Sequence, residues 1–263
     1  MTAKHPNTFL EALLDFADKL ATQAGELALS YVGQNLRRDR KHDGSIVTAA
    51  DREVEQMLRQ RIHERYPDDT IVGEEFGIAD GTSGRRWIID PIDGTFSYAH
   101  GVPLFGTLIG IEIDGEPSVG VVRMPALNET VCAAKGLGCR HNGQAAHCSA
   151  IATLGDALIV CGDFYACYRY GFGDAAERLQ AAARERRGWG DCYGHVLVAT
   201  GRAEVALDPV TSIWDCAALA PILEEAGGTF TDWRGKRTID GGNALSTNGA
   251  LLDDVMALVR ASV

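Results

Sequence analysis

A short apolar run, Trp87-Ile88-Ile89, passes straight into Asp90-Pro91-Ile92-Asp93-Gly94-Thr95, and this junction constrains the chain more than any other segment. The apolar triplet reads as a buried strand. Strand ends are where a sheet places functional groups. Pro91 fixes one backbone dihedral and pushes Asp90 toward an extended conformation, so two carboxylates three residues apart can face one small volume. Gly94 lets the backbone approach a ligand closely. If a short helix begins here, the amides of Gly94 and Thr95 form an anion site. The Thr95 hydroxyl can orient a water. One loop thus offers metal ligands and phosphate donors side by side. A plain surface turn would use the same residues, so the rest of the chain has to decide.

Other acidic groups stand at similar places. Glu74 and Glu75 follow the strand-like Thr70–Gly73, Asp51 follows Val47-Thr48-Ala49-Ala50 at a helix start, and Trp214-Asp215 opens another helix. Singly, Glu74-Glu75 reads as a solvated face and Asp215 as a helix cap. Jointly, Asp51, Glu74, Asp90, Asp93 and Asp215 would repel each other strongly without a cation. Oxygen-only ligands favour Mg²⁺, with Mn²⁺ as the alternative, over zinc. The excess of 36 Asp+Glu over 25 Lys+Arg, a net charge of −11, argues against nucleic-acid or membrane partners. A small anionic substrate stays compatible with it, because bound cations reverse the local sign.

No apolar run approaches membrane-spanning length. Met1-Thr2-Ala3-Lys4-His5-Pro6 lacks the apolar core of an export signal. The seven cysteines contain no Cys-x-x-Cys pair and read as reduced thiols, so a cytoplasmic protein is expected. Periodicity predicts helices over residues 8–32, with Thr8 and Glu11 at capping-box spacing, and from Thr48 to Tyr66. Strands are expected over 70–73, 86–90, 104–113, 118–124 and 129–134, with hairpin turns at Asp114-Gly115 and Asn142-Gly143. Beyond residue 150, strands are expected over 157–161, 203–207 and 229–231. Helices are expected over 174–187, 193–200, 214–226 with a kink at Pro221, and 250–259. Two lobes follow: 1–148, α+β with the metal loops, and 149–263, α/β with substrate-reading loops and one metal ligand.

Taken together, Trp87-Ile88-Ile89-Asp90-Pro91-Ile92-Asp93-Gly94-Thr95, Gly73-Glu74-Glu75 and Trp214-Asp215-x-Ala217-Ala218 resemble the inositol monophosphatase family. Val47-Thr48-x-x-Asp51 and Glu224-Glu225-Ala226-Gly227-Gly228 match it too, and the likeness runs over about residues 10–255. The resemblance implies a layered α/β/α/β/α sandwich, homodimeric, that hydrolyses phosphate monoesters with two or three Mg²⁺ per site. It implies that Glu74, Asp90 and the Ile92 carbonyl hold one ion and that Asp90, Asp93 and Asp215 hold a second. Asp51, Glu74 and Thr95 would position the attacking water, and Gly94 and Thr95 the phosphoryl oxygens.

Gly73-Glu74-Glu75-Phe76-Gly77, Gly101-Val102-Pro103 and Arg187-Gly188-Trp189-Gly190-Asp191, with Tyr193 after it, resemble the branch of this family that acts on histidinol phosphate. That substrate carries an ammonium and an imidazole. Asp191 and Asp208 are the candidate anions, and Trp189 or Tyr193 the stacking face. Asp208 stands where the family commonly has the longer Glu. Arg187 reads equally as a substrate group or as a helix-end charge. Phe96 and Tyr98 read as entrance or core aromatics, and His100 as structural or as a group near the leaving oxygen. An inositol-1-monophosphatase, a broad sugar or nucleotide monophosphatase, and an inactive phosphate-binding regulator are the alternatives.

Overall fold

A computed structural model describes residues 7–34, 39–40 and 46–261; the Met1–Pro6 start read above lies outside them. The helices are α1 (Asn7–Ser30), α2 (Ala49–Arg65), α3 (Thr95–Ala99), α4 (Phe164–Arg169), α5 (Gly173–Ala182), α6 (Asp191–Ala199), α7 (Ile213–Cys216), α8 (Leu219–Glu225) and α9 (Leu252–Arg260). Strands β1 (Asp39–Arg40) and β2 (Ile46–Val47) form a small ribbon. The main sheet contains β3 (Thr70–Gly73), β4 (Gly77–Ala79), β5 (Arg85–Asp93), β6 (Gly106–Ile113), β7 (Glu116–Met124), β8 (Glu129–Ala134), β9 (Gly138–His141) and β10 (Gln144–Ala146). Its order is β10-β9-β8-β7-β6-β5-β3-β4, antiparallel except where β3 meets β5. The second sheet contains β11 (Leu158–Cys161), β12 (Glu185–Arg187), β13 (Val205–Asp208), β14 (Thr229–Thr231) and β15 (Ala244–Thr247), in the order β12-β11-β13-β15-β14.

The layers follow from alternation along the strands, which sends successive side chains to opposite faces. In the main sheet Trp87, Ile109 and Val121 meet Leu13 and Leu20 of α1 and Leu58 of α2. Their neighbours Ile88, Leu108 and Val122 meet Val196 of α6 and Leu219 and Leu223 of α8. The second sheet does the same: Val160, Ala206 and Phe230 face that shared middle core, while Ile159, Val205 and Leu245 face Leu179 of α5 and Val255 of α9. The result is the expected α/β/α/β/α sandwich. Among the described residues, no helix is long and apolar enough to cross a membrane.

The expected hairpins form at Asp114-Gly115 and Asn142-Gly143, all four residues at positive φ, as a two-residue turn between right-twisted strands requires. Helix α2 runs between the expected limits, with Thr48 as its N-cap and Tyr66 as its C-cap. Thr8 lies inside α1 rather than capping it. The helix expected over 174–187 stops at Ala182, and Glu185–Arg187 pairs with β11 as a parallel edge strand, where charged side chains reach water. The helix expected over 214–226 is interrupted at Ala217-Ala218, as a kink from Pro221 requires, since its ring faces the carbonyl four residues before it, that of Ala217. Pro221 sits in the first turn of α8, where its missing N–H has no partner to lose. The α7–α8 junction lies directly on the main sheet at Gly110 and Gly120. A Cβ on Gly120 would stand 2.0 Å from the Ala218 carbonyl oxygen.

Gly120→Ala is therefore expected to destabilise the fold by about 1–3 kcal/mol through overpacking, read as a lower melting temperature. Gly155→Ala, which meets open space, is the matched control and should melt with the parent chain. Equal melting of both variants would show that the α7–α8 junction does not depend on that close approach.

Candidate active site

The end of β5, the start of α2 and the starts of α6 and α7 converge on one point, and four carboxylates from them are each tied to a backbone amide. Asp90 Oδ1 accepts from Ile92 N at 3.0 Å, and Asp93 Oδ2 accepts from Cys192 N at 2.5 Å. Asp51 Oδ2 accepts from Thr48 N, and Asp215 Oδ2 accepts from Ser212 N, both at 2.7 Å. The last two are capping boxes, so the same residues start a helix and serve the site. Asp215, read from the sequence as a helix cap, is the third helical residue of its box, and Ser212 is the N-cap.

Asp90, Asp93 and Asp215 each offer one oxygen, and these oxygens lie within 4.8 Å of one another. Glu74 stands close enough for its charge to act on Asp90. Thr95 Oγ1 lies 2.9 Å from the Ile92 carbonyl oxygen and 3.3 Å from Asp51 Oδ1. Gly94 caps α3 with φ at +78°, a conformation that keeps the loop tight against Leu104 and Phe105. A buried cluster of like charges with oxygen atoms of this spacing suits a small divalent cation.

On the other side of the loop stand the residues assigned to the leaving group. Asp191 begins α6, and one of its oxygens lies against Gly94. Asp208 ends β13, and its charge acts on both Asp191 and Asp215. Trp189 is 38% exposed in the connection before Asp191. Arg187 is not gathered with them: it lies on the exposed edge strand β12, donating to Glu185 Oε2 and to the Arg186 carbonyl. Phe96 and Tyr98 separate, since Tyr98 is buried and donates to the Ala28 carbonyl while Phe96 is 68% exposed and stacks on His100.

Two residues of the site went unread in the sequence. Glu55 is buried, and its carboxylate accepts from the amides of Glu75 and Phe76, so it holds the turn that carries Glu74. His195 is buried against Asp208 at 2.8 Å. Each stands four residues after a site carboxylate on the same helix, Asp51 and Asp191 respectively, and that spacing was the available signal.

Comparison with known proteins agrees with this geometry. The model of the inositol monophosphatase family matches residues 10–263. This chain belongs to the inositol monophosphatase family. It is 45% identical over 248 residues to a histidinol-phosphatase of Chlorobaculum parvum, covering 94% of this chain and 96% of the relative. It is 39% identical to a histidinol-phosphatase of Mycobacterium tuberculosis, covering 92% and 95%. The solved structure of a Thermotoga maritima IMPase superposes with a TM-score of 0.85 at 33% identity, covering 94% of this chain and 96% of that one. Inositol monophosphatase family members are metal-dependent phosphoric monoester hydrolases, and this chain carries the acidic cluster such chemistry needs.

The electrostatics of this family member follow from burial without a counter-charge. Asp90 is pushed well above the usual carboxylate range by burial first, then by Glu74, Asp93 and Asp215. Asp93 is raised by burial and by Asp191 and Asp215. Asp215 is raised to about 6, mainly by burial, against the lowering effect of the Ser212 amide. Asp191 is also raised to about 6, by burial and by Asp208, with His195 opposing. Carboxyls raised by folding hold protons that the unfolded chain has already released. The metal-free protein should therefore lose stability as pH rises from about 4 through about 6. Its melting temperature against pH tests this, and Asp215→Asn should flatten the slope. A divalent cation should raise the melting temperature more at about pH 7.5 than at about pH 5, because protons compete for the same oxygens. A cation effect independent of pH would place its binding elsewhere.

Proposed function

We propose that this phosphatase hydrolyses L-histidinol phosphate to L-histidinol and phosphate, with Mg²⁺ held by the acidic cluster. The observation that carries the substrate is the pairing of Asp191 and Asp208 beside the metal loop. That pairing suits a leaving group that bears an ammonium and an imidazole. The names of the Chlorobaculum parvum and Mycobacterium tuberculosis relatives support the same reading.

In this reading Glu74, Asp90 and the Ile92 carbonyl hold one ion, and Asp90, Asp93 and Asp215 hold a second. An ion held by these residues would supply charge stabilisation for the phosphoryl oxygens and a lowered pKa for bound water. The Gly94 and Thr95 amides hold the phosphoryl group. Asp51, Glu74 and the Thr95 hydroxyl orient the attacking water, whose proton passes to a carboxylate. Water oxygen bonds to phosphorus as the ester oxygen departs and takes up a proton. Trp189 offers its face to the imidazole. The working unit is a homodimer, as the family resemblance implies.

A substrate panel of histidinol phosphate, inositol 1-phosphate, fructose 1,6-bisphosphate and glycerol 2-phosphate tests the assignment. The highest kcat/KM is expected for histidinol phosphate, with turnover abolished by chelation and restored by Mg²⁺. Preference for inositol 1-phosphate would overturn the substrate.

Asp191 makes no cap hydrogen bond at the start of α6, where Gly190 is the N-cap, so Asp191→Asn removes a charge without removing a cap. It should lower kcat/KM for histidinol phosphate by roughly ten- to a hundredfold, with a much smaller loss for glycerol 2-phosphate. Equal losses would remove Asp191 from the leaving-group pocket. Thr95→Ala should lower kcat by about a hundredfold or more while KM changes little, because water orientation matters in the transition state. A raised KM at constant kcat would assign Thr95 to ground-state binding instead.

A further inference from the structure

Asp208 has a short side chain, and a short arm needs a defined orientation to be useful. His195 supplies it. The imidazole is 1% exposed, with Nε2 at 2.8 Å from Asp208 Oδ2 and Nδ1 at 2.6 Å from Ser246 Oγ. A carboxylate only accepts hydrogen bonds, so Nε2 carries a proton, and in the neutral imidazole the Ser246 hydroxyl donates to Nδ1. Ser246 is fully buried in β15, between β13 and β14. The backbone of Asp208 is held as well, since its carbonyl accepts from Trp233 Nε1 at 3.1 Å. One oxygen of Asp208 and its main chain are thus fixed, while the side chain remains 20% exposed toward the site.

We propose that His195, locked by Ser246, is a positioning residue that presets Asp208 as the receptor for the leaving group's ammonium. This rests on the reading of histidinol phosphate as substrate. The physical reason is entropic: a receptor whose rotamer is already chosen loses less freedom when the cation arrives. His195 touches neither phosphate nor metal ligands in this scheme, so its effect belongs in the binding of the alcohol half rather than in the chemical step.

The test compares His195→Leu, which removes the donor, with His195→Gln, whose amide can reproduce Nε2–H, and with Ser246→Ala. For His195→Leu, KM for histidinol phosphate should rise about three- to tenfold, with a several-fold smaller change for glycerol 2-phosphate. His195→Gln should recover most of the loss, and Ser246→Ala should show a partial one. Nitrogen-15 shifts of the parent protein, read without any substrate, should report His195 as the Nε2–H tautomer. An Nδ1–H tautomer, or losses equal on both substrates, or no gain from Gln over Leu, would overturn the role of His195 alone. A parent enzyme with no preference for histidinol phosphate would overturn the substrate reading and the ammonium-receptor role with it. The tautomer would then still tell whether the Ser246–His195–Asp208 relay exists. If His195→Leu fails to fold, Ser246→Ala and the tautomer carry the decision.

Discussion

Mutual repulsion among buried carboxylates is the constraint on which this structure turns. Asp90, Asp93 and Asp215 bring oxygens within 4.8 Å of one another, with Asp51 and Glu74 at the rim. Such a cluster holds its shape without a cation only if each member is fastened separately. Here each of four carboxylates accepts from a backbone amide, supplied by Thr48, Ile92, Cys192 and Ser212. Three of these amides belong to helix starts, where N–H groups lack intrahelical partners and the helix dipole favours negative charge. The device that begins the helices also opposes the repulsion.

The layering brings those helix starts to the end of β5. Helix α7 reaches the metal loop because Gly110 and Gly120 let the α7–α8 junction lie on the backbone of the main sheet. Helix α6 reaches it from the middle layer, between the two sheets, with Val196 and Val198 in the shared core. The site is therefore a product of both sheets. Asp93 accepts from Cys192, and the cluster includes Asp215, both from the second half of the chain.

In the proposed reading, the phosphate side and the leaving-group side divide along the same loop. On one side are oxygen ligands and the amides of Gly94 and Thr95. On the other are Asp191 and Asp208, with His195 and Ser246 behind them. A single negative field runs across both, since Asp208 acts on Asp215 as well as on Asp191. Cations on each side of the scissile bond would relieve it, metal on one and the substrate's ammonium on the other.

Much of this was legible in the sequence because its signals are local. The hairpins at Asp114-Gly115 and Asn142-Gly143, the span of α2 and the acidic loop after Ile89 all depend on neighbours a few residues away. The sandwich and the family followed from motifs kept in order along the chain. What stayed hidden depends on residues far apart. Strand β15 is short, with small and hydroxyl side chains, and exists because β13 and β14 pair with it on either side. Glu185–Arg187 continues a helical pattern until β11 offers a free edge. The α7–α8 junction can lie flat on the main sheet only because Gly110 and Gly120, about a hundred residues earlier in the chain, leave room for it. Arg187 and Trp189 stand close together in sequence, yet one turns along an edge strand and the other flanks Asp191. By itself the sequence determined which groups were available for chemistry, since residue type and local spacing fix donors, acceptors and charge. Only the tertiary structure decided which of them meet, because a hydrogen bond such as His195 to Asp208 forms between whatever the packed layers bring within 3 Å.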